Sequence, residues 1–531
     1  MKRKIYLKIL IGIVTVVLLI ILLGKVFIEP WVGKKIQTAL NEKDRDYLVK
    51  IDKVHILMVP LGIKLESITI YSKQEHGGNL DLNGEIASIK CKGISLLKAI
   101  FKNDIYIRGV TISNGSIKGK ILFSGEAIPP IVSPVNIRIR RILFDKIDLA
   151  IENTSTAQSF SVKEGVLKVY NLQVEKQDTL SAGIVKQFDF KAEEFLSVSS
   201  NSMYSFKASG INYSATSNTL LLNSFSIHPN YSDYDFTSRD EFQTVRIDAG
   251  FSNIHIHDFD AAGYLLSKSL ISSYIEIGKM DMKVFRDKRK EFRHENMPTF
   301  QDMIYNYPGT IQIDSTGIVN GNVTYTVHDE KANEPGSISF NEINAKIYII
   351  SNNIIYKTDN AFLELKGNAL LMGKSKMTIL LKGRIFDSQN TFSFDGTLSG
   401  MDANELNPML EKNAFIYATS GKIDAMNFSF TANNAEATGK MTMLYHGLDI
   451  AVKNKRTDDT TAFGERFISM IVNRKVLDSN PMPGEEVREG IIYYERDPER
   501  FLLSYCFKSI LSGIKSSLVK SPKKNKNSNA A

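Results

Sequence analysis

Cysteine is nearly absent from this chain, which has Cys91 and Cys506 far apart and no others. Two such residues cannot by themselves define a disulfide framework or a four-ligand metal site. A single tryptophan, Trp31, leaves the aromatic content to 21 tyrosines and 29 phenylalanines, a bias that suits pleated, half-buried surfaces. A basic face is also lacking. The net charge of +8 is gathered largely at the two ends, in Lys2, Arg3, Lys4 and Lys8 and in Lys520, Lys523, Lys524 and Lys526. The body between them is close to neutral, without the basic, aromatic-interleaved surface that nucleic acid requires, so nucleic acid is not an expected partner. Anionic lipid headgroups suit the charged ends better. No HExxH, GxSxG or GxGxxG motif occurs. Nothing nominates an enzyme, and no cofactor is expected.

What the chain does have is ample apolar material, 43% of 531 residues against 23% charged, enough for a packed core. Its longest uncharged run lies at the start, from Ile9 to Gly24. Lys8 and Lys25 can snorkel, which extends the usable segment from Ile5 to Ile28, long enough to span a bilayer. A cleaved signal peptide shares the basic start and apolar stretch, but this run exceeds a usual h-region and no small-residue cleavage site follows it. Trp31 falls at interfacial depth, and the leading cations place the N-terminus in the cytoplasm. The expectation is a single-pass anchor in the inner (cytoplasmic) membrane, with the bulk of the chain on the periplasmic side.

After a short helical segment at Val32 to Leu40, the period changes to two. Ile63, Leu65, Ile68 and Ile70 are separated by polar residues, as are Ile105 and Ile107, Ile137 and Ile139, and Ile254 and Ile256. The rhythm returns at Val323, Tyr325 and Val327, at Ala345, Ile347 and Ile349, and at Met441, Met443 and Tyr445. Turn signals such as Asn114-Gly115, Asp395-Gly396 and Ser420-Gly421 stand between the runs. The spacing predicts a mostly β body of antiparallel strands with a few short helices. Ala261 to Leu270 is a short helix candidate, and Arg286 to Tyr307 an exposed excursion or domain hinge. Leu503, Phe507, Ile510, Ile514 and Leu518 form the apolar stripe of a C-terminal amphipathic helix. That helix is expected to dock on a membrane or a partner and not to pack in the sheet core.

Three local patterns invite chemistry, and each has a blander reading. GNALLMGKS, from Gly367 to Ser375, resembles a phosphate-binding loop but has one residue too many between its glycines and no helix to follow. His255 and His257 share one strand face and could ligate a metal with Asp258 or His228, although exposed polar residues opposite an apolar face fit the same pattern. Asp497, Glu499, Glu485 and Glu486 read as loop and helix-start residues, since nothing sets them across a cleft.

Several longer stretches resemble the AsmA-like family of bacterial envelope proteins, the group that includes AsmA and TamB. These are the anchor with Val32 to Leu40, then VHILMVPLGIKLESITI and IASIKCKGISLLKAIFKNDIYIRGVTISNGSI. Later come VTYTVHDEKANEPGSISFNEINAKI, LSGMDANELNPML and SGKIDAMNFSFTANNAEATGKMTMLYHGLDIAV, which look like Bacteroidetes-type members. The resemblance covers most of the chain through loose strand patterns, and the chain is shorter than the long bridge-forming members. It implies an inner-membrane anchor and an elongated, taco-like β-groove that binds and helps to move phospholipid or maintains outer-membrane lipid balance. The alternative is a non-enzymatic envelope scaffold or assembly factor, with a protein partner at the C-terminal end.

The expected organisation is an anchor over 1–31, an AsmA-like β module over 32–175, a middle β region over 176–310 and a second β module over 311–455. A segment over 456–522 then carries the amphipathic helix, and 523–531 is a disordered basic tail. The lipid-groove candidates are Val323, Tyr325, Val327, Ile347, Ile349, Met441, Met443 and Tyr445. The docking candidates are Phe507, Ile510, Ile514 and Leu518.

Overall fold

The computed structural model describes residues 28–41, 47–73, 80–95, 104–121, 136–174, 187–358, 361–452 and 476–519. All but the last residue of the predicted spanning segment lies outside them, as does the basic tail. Among the described residues no helix is long and apolar enough to cross a membrane. Most of the described chain is strand, and it divides into two compact units, Met1–Asn223 and Ser224–Ala531.

In the first unit α1 (Glu29–Leu40) precedes a ladder formed by β1 (Tyr47–Met58), β2 (Leu61–Ser72), β3 (Leu80–Ile94), β4 (Asp104–Ile121), β5 (Asn136–Asn153), β6 (Ser159–Val174), β7 (Phe188–Val198) and β8 (Tyr204–Ser214). Neighbours pair antiparallel except β4 and β5, which run parallel. The register sets apolar against apolar. One row runs Val54, Leu65, Ile89, Ile112, Phe144, Leu167, Phe190, Tyr213, each residue paired with the next across the ladder. A second runs Ile56, Ile63, Cys91, Val110, Ile142, Val169, Phe188. Cross-strand pairs of this kind are the unit of sheet stabilisation, at about 0.2–1 kcal/mol each.

Strict alternation breaks at one level shared by successive strands. Asp52, Ser67, Ala87, Asn114 and Lys146 drop out of the pairing, and the apolar face steps by three residues there, from Leu65 to Ile68, Ile112 to Gly115 and Phe144 to Ile147. Ser67, Asn114 and Lys146 hold left-handed backbone, with φ of 51°, 52° and 55°. An extra residue in a strand bends it and sharpens its twist, and neighbouring strands that carry it together bend along one line.

β9 (Thr219–Pro229) contains the boundary between the units. In the second unit α2 (Asp233–Ser238), β10 (Val245–His257), α3 (Ala261–Ser267) and β11 (Leu270–Asp287) lead through α4 (Phe300–Tyr305) to β12 (Ile311–His328) and β13 (Gly336–Ser351). β14 (Leu363–Leu371), β15 (Ser375–Gly383), β16 (Phe392–Leu398), the short β17 (Met401–Asp402), α5 (Asn407–Asn413), β18 (Ile416–Ala432), β19 (Glu436–Val452), β20 (Glu489–Glu495) and α6 (Leu502–Ser517) follow. The helix expected at Ala261 to Leu270 is α3, closed at its start by the Asp260 carboxylate, which accepts from the Gly263 N–H at 2.9 Å.

An apolar row again crosses the ladder, as Ile256, Ile275, Thr316, Ile347, Leu365, Leu381, Phe394, Phe430, Gly439, Ile492. Towards β18 and β19 it becomes a true core, with Phe392, Phe428, Phe430, Met441, Met443, Tyr445 and Ile492 buried together. The excursion from Arg286 to Tyr307 is not a hinge between domains. It is the crossover between parallel β11 and β12, with both ends in the second unit. Thr299 and Asp302 close a capping box on α4, and Gln301, fully buried, donates to the Asn390 carbonyl at 3.1 Å.

Both outer strands carry a helix on their free side. On β1, Asn41 accepts from the Val49 N–H at 2.7 Å and donates to the Val49 carbonyl at 2.8 Å, while Gln37 and Glu29 of α1 accept from the N–H groups of Ile51 and Ile56. On β20, Ser516 and Ser512 of α6 accept from the N–H groups of Ile491 and Tyr493 at 2.9 and 3.1 Å. Side chains thus satisfy backbone groups that an edge strand would otherwise offer to another strand.

Candidate functional site

The apolar rows differ between the units in one respect, their accessibility. In the first unit Leu65, Ile89, Ile112, Phe144, Leu167 and Phe190 are only half-buried, although each lies within a long strand paired on both sides. Leu40 of α1 packs beside Val49 and Ile68 near β1. Among the described residues, β3 to β8 make their main contacts with their own sheet neighbours. In the second unit the corresponding face is sealed at its β18–β20 end by α6. A contiguous, half-buried apolar face is the kind of surface on which proteins take up partners or ligands.

The groove candidates therefore separate. Met441, Met443 and Tyr445 are buried beneath α6 and the 477–480 segment, at 1%, 4% and 1% exposure. This overturns the expectation that they line a reachable channel. The Tyr445 hydroxyl accepts from Arg488 at 3.1 Å and donates to the Leu477 carbonyl at 3.3 Å, and burial raises its pKa. Asn480, also buried, donates to the Met443 carbonyl and accepts from the Arg488 N–H at 2.8 Å, closing the same corner. Val327 is buried.

Val323, Tyr325 and Ile347 remain half-buried on the apolar face, with Val323 paired to Phe340 and Tyr325 to Ile338. Burial raises the Tyr325 pKa, while the adjacent Arg286 opposes the rise. Ile349 does not continue the face. It has φ of 56° and stands at a break in the pairing opposite Asp314, so the inward sequence passes from Ile347 to Ile350.

The C-terminal helix also departs from expectation. α6 packs on β19 and β20 with Tyr505, Cys506, Ser509, Gly513 and Ser517 inward, and Leu518 just beyond its end is buried. Ile510 and Ile514 lie against the same core. Of the docking stripe, Phe507 remains 46% exposed, and Leu503 beside it 83%. The predicted docking surface is largely the helix's buried side, because Gly490 and Gly513 let the helix approach the sheet where larger residues would collide.

On the opposite, polar face of β10 and β11 the register does bring ligating groups together. His255 pairs with Glu276 and His257 with Tyr274. The two imidazoles are 3.8 Å apart between centroids, and one ligand atom each from His255, His257 and Glu276 lie within 4.8 Å of one another. Burial, then the neighbouring His257, lowers the His255 pKa against the pull of Glu276. Asp258 and His228, the expected third ligands, are engaged elsewhere, Asp258 by the Ser273 hydroxyl and His228 beside Asp248 at 3.6 Å.

No known family model matches this chain, and no curated protein matches it.

The remaining patterns resolve as structure. Gly367 to Ser375 is the end of β14 and a hairpin into β15, turned by Met372 and Gly373 at φ 52° and 68°, with no helix after it. Asp497 accepts from the Glu499 N–H and from Arg500, Glu499 meets His294 at 2.9 Å, and Glu485 lies 3.9 Å from Arg488. No carboxylate pair faces a cleft among these residues. The first-unit rows were not singled out from sequence, although the alternation at Ile63, Leu65, Ile105, Ile107, Ile137 and Ile139 was their signal.

Proposed function

We propose that the protein is a membrane-anchored, lipid-handling protein of AsmA-like type, whose apolar sheet face within 1–223 holds acyl chains. The observation that carries this reading is the unbroken row from Val54 to Tyr213, apolar in every strand and half-buried over most of its length. Each acyl methylene it covers contributes about 0.8 kcal/mol, so a few strands hold a chain firmly while neighbouring rows offer equivalent positions along which it moves. The sequence resemblance supplies the setting: an inner-membrane anchor, a periplasmic body, and phospholipid or another acyl lipid as cargo, with no bond chemistry and no cofactor.

The scaffold alternative, in which envelope proteins add strands to open edges, is less favoured because α1 and α6 occupy the outer sides of β1 and β20.

The test is a photo-crosslinking residue at Phe144 or Leu167, with the opposite-facing Lys168 as control, in the intact anchored protein. Mass spectrometry of the crosslinked product should recover lipid from the first two positions and little from the third. Protein-only crosslinks at Phe144 and Leu167 in a folded chain would remove the lipid reading. A periplasm-dependent reporter after Ala531 should be active, and a silent one would overturn the orientation.

A further inference from the structure

We propose that His255, His257 and Glu276 form a binding site for a divalent transition-metal ion of the zinc class, on the polar face of β10 and β11 and independent of the lipid reading. The strand period places His255 and His257 on one face, because Ile254 and Ile256 between and beside them point into the apolar row. The antiparallel register then sets Glu276 directly opposite His255. Imidazole and carboxylate are both ligands of zinc, and two histidines with one glutamate are a known three-ligand set that leaves a fourth position open. A tetrahedral ion at about 2.0–2.1 Å keeps its ligands roughly 3.4 Å apart. The three ligand atoms lie within 4.8 Å of one another, so they must draw in somewhat to meet such an ion.

The surroundings suit the site. The Ser272 hydroxyl donates to the His257 carbonyl at 2.7 Å and fixes the strand end, and Tyr274 stacks on the His257 ring at 5.7 Å between centroids. Opposite Glu276 on β12 stands Gly317, whose missing side chain leaves room on that side, partly filled by the Tyr274 hydroxyl. The site would tie β10 to β11 and present its open coordination position to solvent, where water or an anionic group binds.

The experiment uses the full-length protein, stripped with a chelator and titrated with Zn²⁺ alone against a chromophoric competitor. One equivalent should bind, with affinity at least tenfold weaker in Glu276→Gln and lost in the His255→Asn/His257→Asn double variant. Circular dichroism establishes that each variant is folded. Co²⁺ in the unaltered protein supplies a readout that needs no variant, since two shifted imidazole N–H resonances are expected. Absence of stoichiometric binding, or a double variant that binds as tightly as the parent, would overturn the site. So would a Co²⁺ form without imidazole signals.

Discussion

Gly513 lies so close to Met441 that a Cβ on the glycine would stand 3.0 Å from the methionine Cε, and 2.8 Å from Cγ1 of Ile492. The helix-to-sheet distance at the sealed end of the second unit is set by this contact. Gly513→Val should therefore lift α6 from β19 and β20, costing about 1–3 kcal/mol by overpacking. Urea unfolding followed by tyrosine fluorescence measures the loss, and an unchanged midpoint would mean that the helix is not seated there.

Asp287 anchors the start of the β11–β12 crossover. Its carboxylate accepts from Arg289 Nε at 2.9 Å and from a terminal guanidinium nitrogen at 2.7 Å, and the Arg289 hydrogen bond holds its pKa below the usual carboxylate range. A depressed carboxylate pKa contributes stability that is complete above the unfolded value, about 3.9, and lost as pH falls through the folded one. Asp287→Asn should lower stability by about 1–2 kcal/mol at pH 7 and by clearly less near pH 3. Parallel urea titrations at the two pH values check the sign, and an equal difference at both would contradict it.

Cys506 faces the core from α6, and burial pushes its thiol up to about 12. At pH 8 its thiolate fraction is roughly a thousandfold below that of a free cysteine. In a Cys91→Ser background, a thiol-exchange reagent should leave the folded chain unlabelled and react once denaturant is added. Rapid labelling without denaturant would show that α6 leaves the sheet readily.

The β class was legible in the sequence because the strands keep their apolar residues two apart over most of their length. The sites were less so, for reasons that differ by residue. Met441, Met443 and Tyr445 alternate as an accessible strand would, and it is α6 and the 477–480 segment, later in the chain, that determine that they are covered. In α6 itself the hydrophobic stripe drew attention to Phe507 and Leu518, whereas part of the packing face is small and polar. Ser509 and Ser517 hide their hydroxyls by donating to the carbonyls of Tyr505 and Gly513, four residues earlier, at 2.8 and 2.9 Å. Polarity satisfied within the helix does not show in a pattern of side-chain types. Glu276 was missed because it reaches His255 through strand register, which no local spacing encodes.

The line of irregular residues through Asp52, Ser67, Ala87, Asn114 and Lys146 has a bearing on how such a chain tolerates changes in length. Hairpin ends such as Thr154 to Ala157 lie outside the paired register, so residues added there leave the strands in step. Within a strand the arithmetic is different. Deleting Asn114 would remove the extra residue from β4 alone, so Ile117 and Ile121 would keep the apolar side only by falling one residue out of step with Leu149 and Asn153 on β5, where Lys146 keeps its own. Each strand is thus bound to its neighbours' residue count, and the ladder can gain or lose whole strands far more easily than a single residue inside one.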